Sequence, residues 1–167
     1  MGFERLEGGK EALAKYDLKE IDDYFLEGNF LMESGYRGGM TFMRMAEPPT
    51  AVFAANDYMA LGIYQAVIEG GLRVPEDIAI VGFNDIEFTS MKGIELTTIG
   101  QKKYEMGALS VETLVEKIEG RKAGSPKEII LKPELIIRKT CGFYLKGYQW
   151  NASEGRADLS VEGHVPH

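Results

Sequence analysis

Two pairs of Asx residues close two continuous apolar runs. Ala51-Val52-Phe53-Ala54-Ala55 ends on Asn56-Asp57, and Ile78-Ala79-Ile80-Val81-Gly82-Phe83 ends on Asn84-Asp85. Such side chains suit polyhydroxyl recognition, because adjacent hydroxyls donate and accept together and one amide or carboxylate can answer two of them. Arg5 adds a planar fork of donors, and Phe30 offers an apolar face for a sugar or base ring. Each residue also has a plain structural use: Asn56 as a helix cap, Asp85 as a turn former, Phe30 as core, Arg5 as a solvated helix residue.

Signatures of catalysis are mostly absent. The sequence holds no G-x-G-x-x-G, Walker loop, G-x-S-x-G or H-E-x-x-H, and the glycines at 35, 38 and 39 follow no predicted strand. The two histidines, His164 and His167, stand in the C-terminal tail, so no His-based triad, metal site or cofactor is expected. Cys141 is the one cysteine, which excludes an intramolecular disulfide and reads as a small hydrophobe near a strand end. A net charge of −7 argues against this chain gripping a phosphate backbone. The first residues resemble no signal peptide and no apolar stretch reaches membrane-spanning length, so a cytoplasmic location is expected.

The elements that must position these side chains follow from periodicity. The pattern predicts helices over 3–16, 33–45, 58–69 and 103–119 and strands over 21–26, 51–55 and 78–83. A short extended segment is expected at 96–99, a loop over 120–126, and two short strands over 128–131 and 134–138. Gly8-Gly9 weakens the first helix by about 1 kcal/mol per glycine relative to alanine. Pro48-Pro49 ends the second helix, Asn56 or Asp57 caps the third, and Gly70-Gly71 closes it. From about 142 no period is sustained, so 142–167 reads as a loosely ordered tail. A chain of 167 residues with 44% hydrophobic content suits one domain.

The fold class is therefore α/β, a doubly wound parallel sheet whose apolar strands are buried on both faces and joined by right-handed crossovers. In such sheets ligands bind beyond the carboxyl ends of the strands, so Asn56, Asp57, Asn84 and Asp85 are expected to converge.

The chain also resembles a known family. Arg5-Leu6-Glu7-Gly8, Gly28-Asn29-Phe30, Glu33-Ser34-Gly35-Tyr36, Pro49 through Asp57, Gly71 through Ile86, Leu96-Thr97-Thr98-Ile99 and Leu135-Ile136-Ile137-Arg138 are similar, in order and spacing, to the LacI/GalR (lactose-repressor/galactose-repressor) regulators. The resemblance covers roughly residues 3 to 141. It implies a type I periplasmic-binding-protein-like effector domain, in which two α/β subdomains close on a sugar or related small molecule and dimerise along one side. It further implies that Arg5, Phe30, Asn56 and Asn84 contact the effector and that Gln101 lies close to the same cleft; Asp57 and Asp85, by their place at the strand ends, are candidate additional cleft residues. One departure is Gly82-Phe83-Asn84-Asp85, where the family usually has Asp in place of Asn84.

No counterpart is found for the family's helix-turn-helix, its hinge, most of its first subdomain and the first strand of its second. Residues 1–141 are thus expected to be a partial effector-binding and dimerisation domain, mainly the C-terminal subdomain, with the second subdomain incomplete. The expected partners are a small-molecule effector and a second subunit, either a copy of this chain or a full-length regulator. DNA contact is expected only through the missing N-terminal domain, and membrane contact not at all. The helix over 103–119 would then lack the subdomain it packs on and expose its apolar stripe. Two other readings stay open: a transport-type sugar-binding protein, which predicts an export signal, and a fragment of a doubly wound α/β enzyme, which predicts a phosphate-binding loop or a titratable pair.

Overall fold

The two apolar runs lie side by side as neighbouring parallel strands. The computed structural model describes residues 2–120, 128–146, 148–151 and 156–159. Helices α1 (Gly2–Lys15) and α2 (Met32–Met43) precede strand β1 (Ala51–Phe53), helix α3 (Asp57–Glu69) and strand β2 (Ala79–Asn84). Strand β3 (Thr97–Gly100), helix α4 (Lys103–Ile118) and strand β4 (Glu134–Ile136) follow.

The sheet order is β1-β2-β3-β4. Val52 pairs with Ile80 and Gly82 with Thr98 in parallel register, whereas Ile99 and Leu135 are antiparallel partners. The sheet is therefore mixed and mostly parallel: its last strand reverses the all-parallel expectation. β1 stands at the end of the sheet, and Phe53 is 44% exposed, so burial on both faces belongs to β2 and not to β1.

α3 forms the link between sheet and helix layer. Ala60, Ile63 and Val67 lie one turn apart and join Ile78, Ile80 and Leu96 in the core. On α3's other side, Gly62 faces the backbone of Met32 and Tyr36, while Gly35 and Gly39 of α2 face Met59, Ile63 and Ala66. Glycine is needed there because the two helices touch backbone to backbone.

Two expected strands are absent. Asp22–Tyr24 forms a 3-10 turn where 21–26 read as a strand, and residues 128–133 take no regular form. β4 takes the side of β3 away from β2, and residues 128–133 run outside the sheet with Ile130 79% exposed. The second predicted strand shortens to Glu134–Ile136. α4 matches its expected span and buries no residue, with Tyr104, Val111, Leu114 and Ile118 exposed.

In the expected tail, Phe143–Lys146 forms a 3-10 turn, and Tyr148–Asn151 (β5) pairs antiparallel with Arg156–Leu159 (β6). This regular pairing departs from the loosely ordered tail, and the sequence shows no sustained period to announce it. The loop expected over 120–126 falls, from residue 121 on, outside the described residues, as do His164 and His167. Among the described residues no helix is long and apolar enough to cross a membrane.

The turn into β2 is closed by Arg73 and Asp77. The Asp77 carboxylate accepts the Arg73 backbone N–H at 2.8 Å and its guanidinium at 2.8 and 3.0 Å, which pulls its pKa from 3.8 down to about 2. A depressed folded-state pKa adds stability above 3.8 that is lost as pH falls towards about 2. Thermal melts are expected to show Asp77→Asn as less stable than the parent at pH 6, with the difference shrinking as pH falls from 4 to 2. A gap that stays constant down to pH 2 would contradict the assignment.

Candidate functional site

Parallel pairing places the carboxyl ends of β1, β2 and β3 on one edge of the sheet. Ala54, Ala55 and Asn56 leave β1 there, Asn84 ends β2, and Gln101 follows β3 with Gly100 opposite Asn84 in register. α1 delivers Arg5 across this edge. Its guanidinium donates to the Ala55 carbonyl, lies 3.5 Å from Asn84 Oδ1, and stacks 3.9 Å above the Phe83 ring. The flat, weakly hydrated cation suits both the carbonyl and the ring face.

Asn56 caps α3. Its Oδ1 accepts the Met59 N–H at 2.9 Å, and its Nδ2 donates to the Phe30 carbonyl at 2.9 Å. The residue is buried, so a ligand would meet only the remaining lone pair and N–H of that amide. Phe30 has φ 65°, and its half-exposed ring lies close to Gly2 of α1. Direct contacts thus join Phe30 to Asn56 and Arg5 to Asn84, and the Arg5 bond to the Ala55 carbonyl, beside Asn56, sets the two pairs next to each other. Gln101 stands next along the edge, half-buried, its carbonyl taking the Lys103 N–H at 2.8 Å.

The second member of each Asx pair turns inward. Asp57 is 0% exposed: Oδ1 accepts the Thr98 hydroxyl at 2.5 Å and Oδ2 the Ile86 N–H at 2.9 Å. Asp85 accepts from Arg138 Nη2 at 2.8 Å and lies 3.1 Å from the Thr89 hydroxyl. The Asp57 carboxylate is thus held by the fold through both oxygens, while Asp85 is held through Oδ1 and its side chain stays 30% exposed.

Three neighbours of the site escaped the sequence reading. Phe83 lies under Arg5, Lys103 Nζ donates to the Asp85 carbonyl at 2.7 Å, and Arg138 pairs with Asp85. Phe83 precedes Asn84 directly and was detectable as the residue before the Asx pair. The other two come from segments 18 and 53 residues away, for which local pattern carries no signal. Among the described residues no group of three or more His, Cys, Asp or Glu is placed to hold a metal. The edge offers amides, a guanidinium and aromatic faces, which is equipment for reversible binding of a polar ring.

Residues 4–141 match the periplasmic binding protein-like domain. The chain belongs to that family. Within it, the similar proteins are LacI-type regulators, as the sequence resemblance implied. The ribose operon repressor of Haemophilus influenzae is 35% identical over 136 residues, covering 81% of this chain and 41% of that protein. The HTH-type transcriptional repressor PurR of Pasteurella multocida is 42% identical over 136 residues, covering 81% and 40%. A crystal structure of the lac repressor dimer bound to operator and the anti-inducer ONPF superposes with a TM-score of 0.72 at 35% identity, covering 82% of this chain and 40% of that one. This periplasmic binding protein-like domain therefore spans about two fifths of the length of the curated relatives it matches. It is a partial effector-binding domain with the mostly parallel α/β fold of LacI-family regulators.

Proposed function

We propose that this chain is the effector-binding and dimerisation part of a LacI-type DNA-binding transcriptional regulator. It would recognise a sugar or related polyhydroxy compound through Arg5, Phe30, Asn56, Asn84 and Gln101. The observation that carries this reading is Arg5, which reaches from α1 over the ends of β1 and β2 to the Ala55 carbonyl and to Asn84. A guanidinium beside an amide offers paired hydroxyls both donors and an acceptor.

The protein acts in the cytoplasm, without catalysis, as a homodimer or paired with full-length subunits. DNA is met through a helix-turn-helix outside this chain. Effector binds the closed arrangement of two subdomains better than the open one, and that difference in affinity shifts the population. The neutral Asn84, in place of the family's acid, lets the side chain both accept and donate. That favours a ligand presenting a hydroxyl and a carbonyl or ring oxygen at this position.

Calorimetry of the intact chain against aldoses, disaccharides and nucleobases tests the reading. Binding of a sugar is expected, and Arg5→Ala should weaken it by about 1.5–3 kcal/mol, the worth of hydrogen bonds to a charged donor, or roughly 10- to 150-fold in Kd. An Arg5→Ala chain that binds the same sugar with unchanged affinity would overturn it.

A further inference from the structure

Strand β2 ends in an unusual backbone. Asn84 has φ 110° and Asp85 φ 51°, two successive non-glycine residues in the left-handed region. Such a pair persists only where its surroundings over-determine it. The conformation matters for the site, because it sets the direction of the Asn84 side chain, whose Oδ1 lies 3.5 Å from the Arg5 guanidinium.

Groups from four segments converge on Asp85. Its N–H reaches Thr98 Oγ1 at a long 3.4 Å, and its carbonyl accepts from Lys103 Nζ at 2.7 Å. The Thr89 hydroxyl stands 3.1 Å from its carboxylate but only 2.6 Å from the Ile86 carbonyl, so its single proton has the nearer acceptor there. Arg138 Nη2, at 2.8 Å, is the charged restraint on the carboxylate, in an ion pair whose side chains are 19% and 30% exposed. Arg138 is itself fixed: Nη1 donates to the Leu96 carbonyl at 2.8 Å and to Thr89 at 3.1 Å, and its backbone N–H to Thr97 Oγ1 at 2.9 Å. A guanidinium can hold all three acceptors at once because its donors lie in one rigid plane.

We infer that Arg138 is a positioning residue for effector recognition: through Asp85 it holds Asn84 in the left-handed conformation that presents its amide beside Arg5. The inference rests on the reading of this edge as the effector site. Arg138 itself donates to none of Arg5, Phe30, Asn56, Asn84 or Gln101 among its contacts.

Arg138→Lys keeps the charge and loses the fork, while Arg138→Gln loses both. The first measurement needs no ligand: three-bond HN–Hα couplings and carbon shifts of Asn84 and Asp85 in the labelled intact chain. Both residues are expected to leave positive φ in Arg138→Gln and to interconvert in Arg138→Lys, while the amide signals of α3 stay in place. Positive φ retained in Arg138→Gln overturns the inference, and Arg138→Lys decides the same way if the Gln variant does not fold.

The second measurement is a double-mutant cycle, read by calorimetry with D-ribose, D-galactose and cellobiose as probes. Arg138→Lys should weaken the best-bound sugar about tenfold with Asn84 present, and by less than twofold in an Asn84→Ala background. An equal loss in both backgrounds marks a merely structural role and overturns the inference. If no probe binds the intact chain, or Arg5→Ala binds as well as the parent, the effector reading itself fails and the inference falls with it. The coupling data separate that failure from a failure of Arg138 to set Asn84.

Discussion

Gly62→Ala is expected to destabilise the chain by at least about 3 kcal/mol, the upper range for overpacking a close-fitted contact, and to prevent cooperative folding if α2 cannot move. A Cβ at Gly62 would lie well inside 3.0 Å of the Met32 carbonyl and the Tyr36 N, and one at Gly35 equally close to the Met59 backbone. Those obstacles are main chain and have no rotamer by which to yield. α2 and α3 would have to separate, and Ser34, Phe42, Ile63 and Ala66 would lose packing together.

The sign of the effect is diagnostic. In a helix interior with open space, Gly→Ala stabilises by about 0.5–1 kcal/mol through propensity. Gly107 of α4 has nothing within 4 Å of its would-be Cβ, so Gly107→Ala should raise the melting temperature while Gly62→Ala lowers it. Urea unfolding followed by circular dichroism checks both. Equal stability of Gly62→Ala and the parent would refute the backbone contact.

The parts of this fold that the sequence foretold are those where pattern and environment agree. Ile78 to Phe83 is apolar throughout because β2 has neighbours on both sides, and Gly70-Gly71 marks the end of α3 because the chain reverses there. The segments 21–26 and 128–131 misled because local composition says only that a strand is tolerable. Whether it joins the sheet depends on which segment reaches the side of β3 away from β2, a place that Glu134–Ile136 takes. The α2–α3 contact was also within reach: Gly35 and Gly39 repeat at one helical turn, which is a packing signal, but as glycines preceding no phosphate loop they suggested only the absence of one.

At the site, chain-end chemistry was legible and its inner half was not. Both Asx pairs split in the same way. The first residue, Asn56 or Asn84, faces the edge and Arg5's surroundings, and the second, Asp57 or Asp85, bonds to another strand or turn. Sequence order cannot reveal that division, since their partners, Thr98 and Arg138, lie 41 and 53 residues on. A carboxylate at a strand end can thus also serve the fold, and its donors come into view only in the folded chain.

Removal of the inner carboxylate is expected to be nearly as damaging as the helix clash. Asp57→Ala strands the Ile86 N–H and the Thr98 hydroxyl, both of which point at the vacated position. Leaving such groups unanswered costs about 1–3 kcal/mol each, so a total of roughly 2–6 kcal/mol follows. The same deletion removes the acidic residue from the first turn of α3, where a negative charge is favourable by about 0.3–1 kcal/mol. Gly82 belongs to the same arrangement, because a Cβ there would collide with Asp57 Oδ1. Asp57→Asn separates the contributions. Its amide can still accept the Ile86 N–H and can donate to Thr98 Oγ1, so the hydroxyl must find another acceptor but no group is left facing a void. Chemical denaturation should therefore rank the parent first, Asp57→Asn second and Asp57→Ala last, with the gap to Ala at least twice the gap to Asn. The outcome reaches the site as well, for Asp57 anchors Ile86 directly after Asn84-Asp85 and its loss should loosen that turn. Arg5 would then have an acceptor at Ala55 and a wandering one at Asn84, and sugar affinity should fall in step with the order of stability. Full affinity in an Asp57→Ala chain that still folds would mean that the strand-end turn holds its shape without the buried carboxylate.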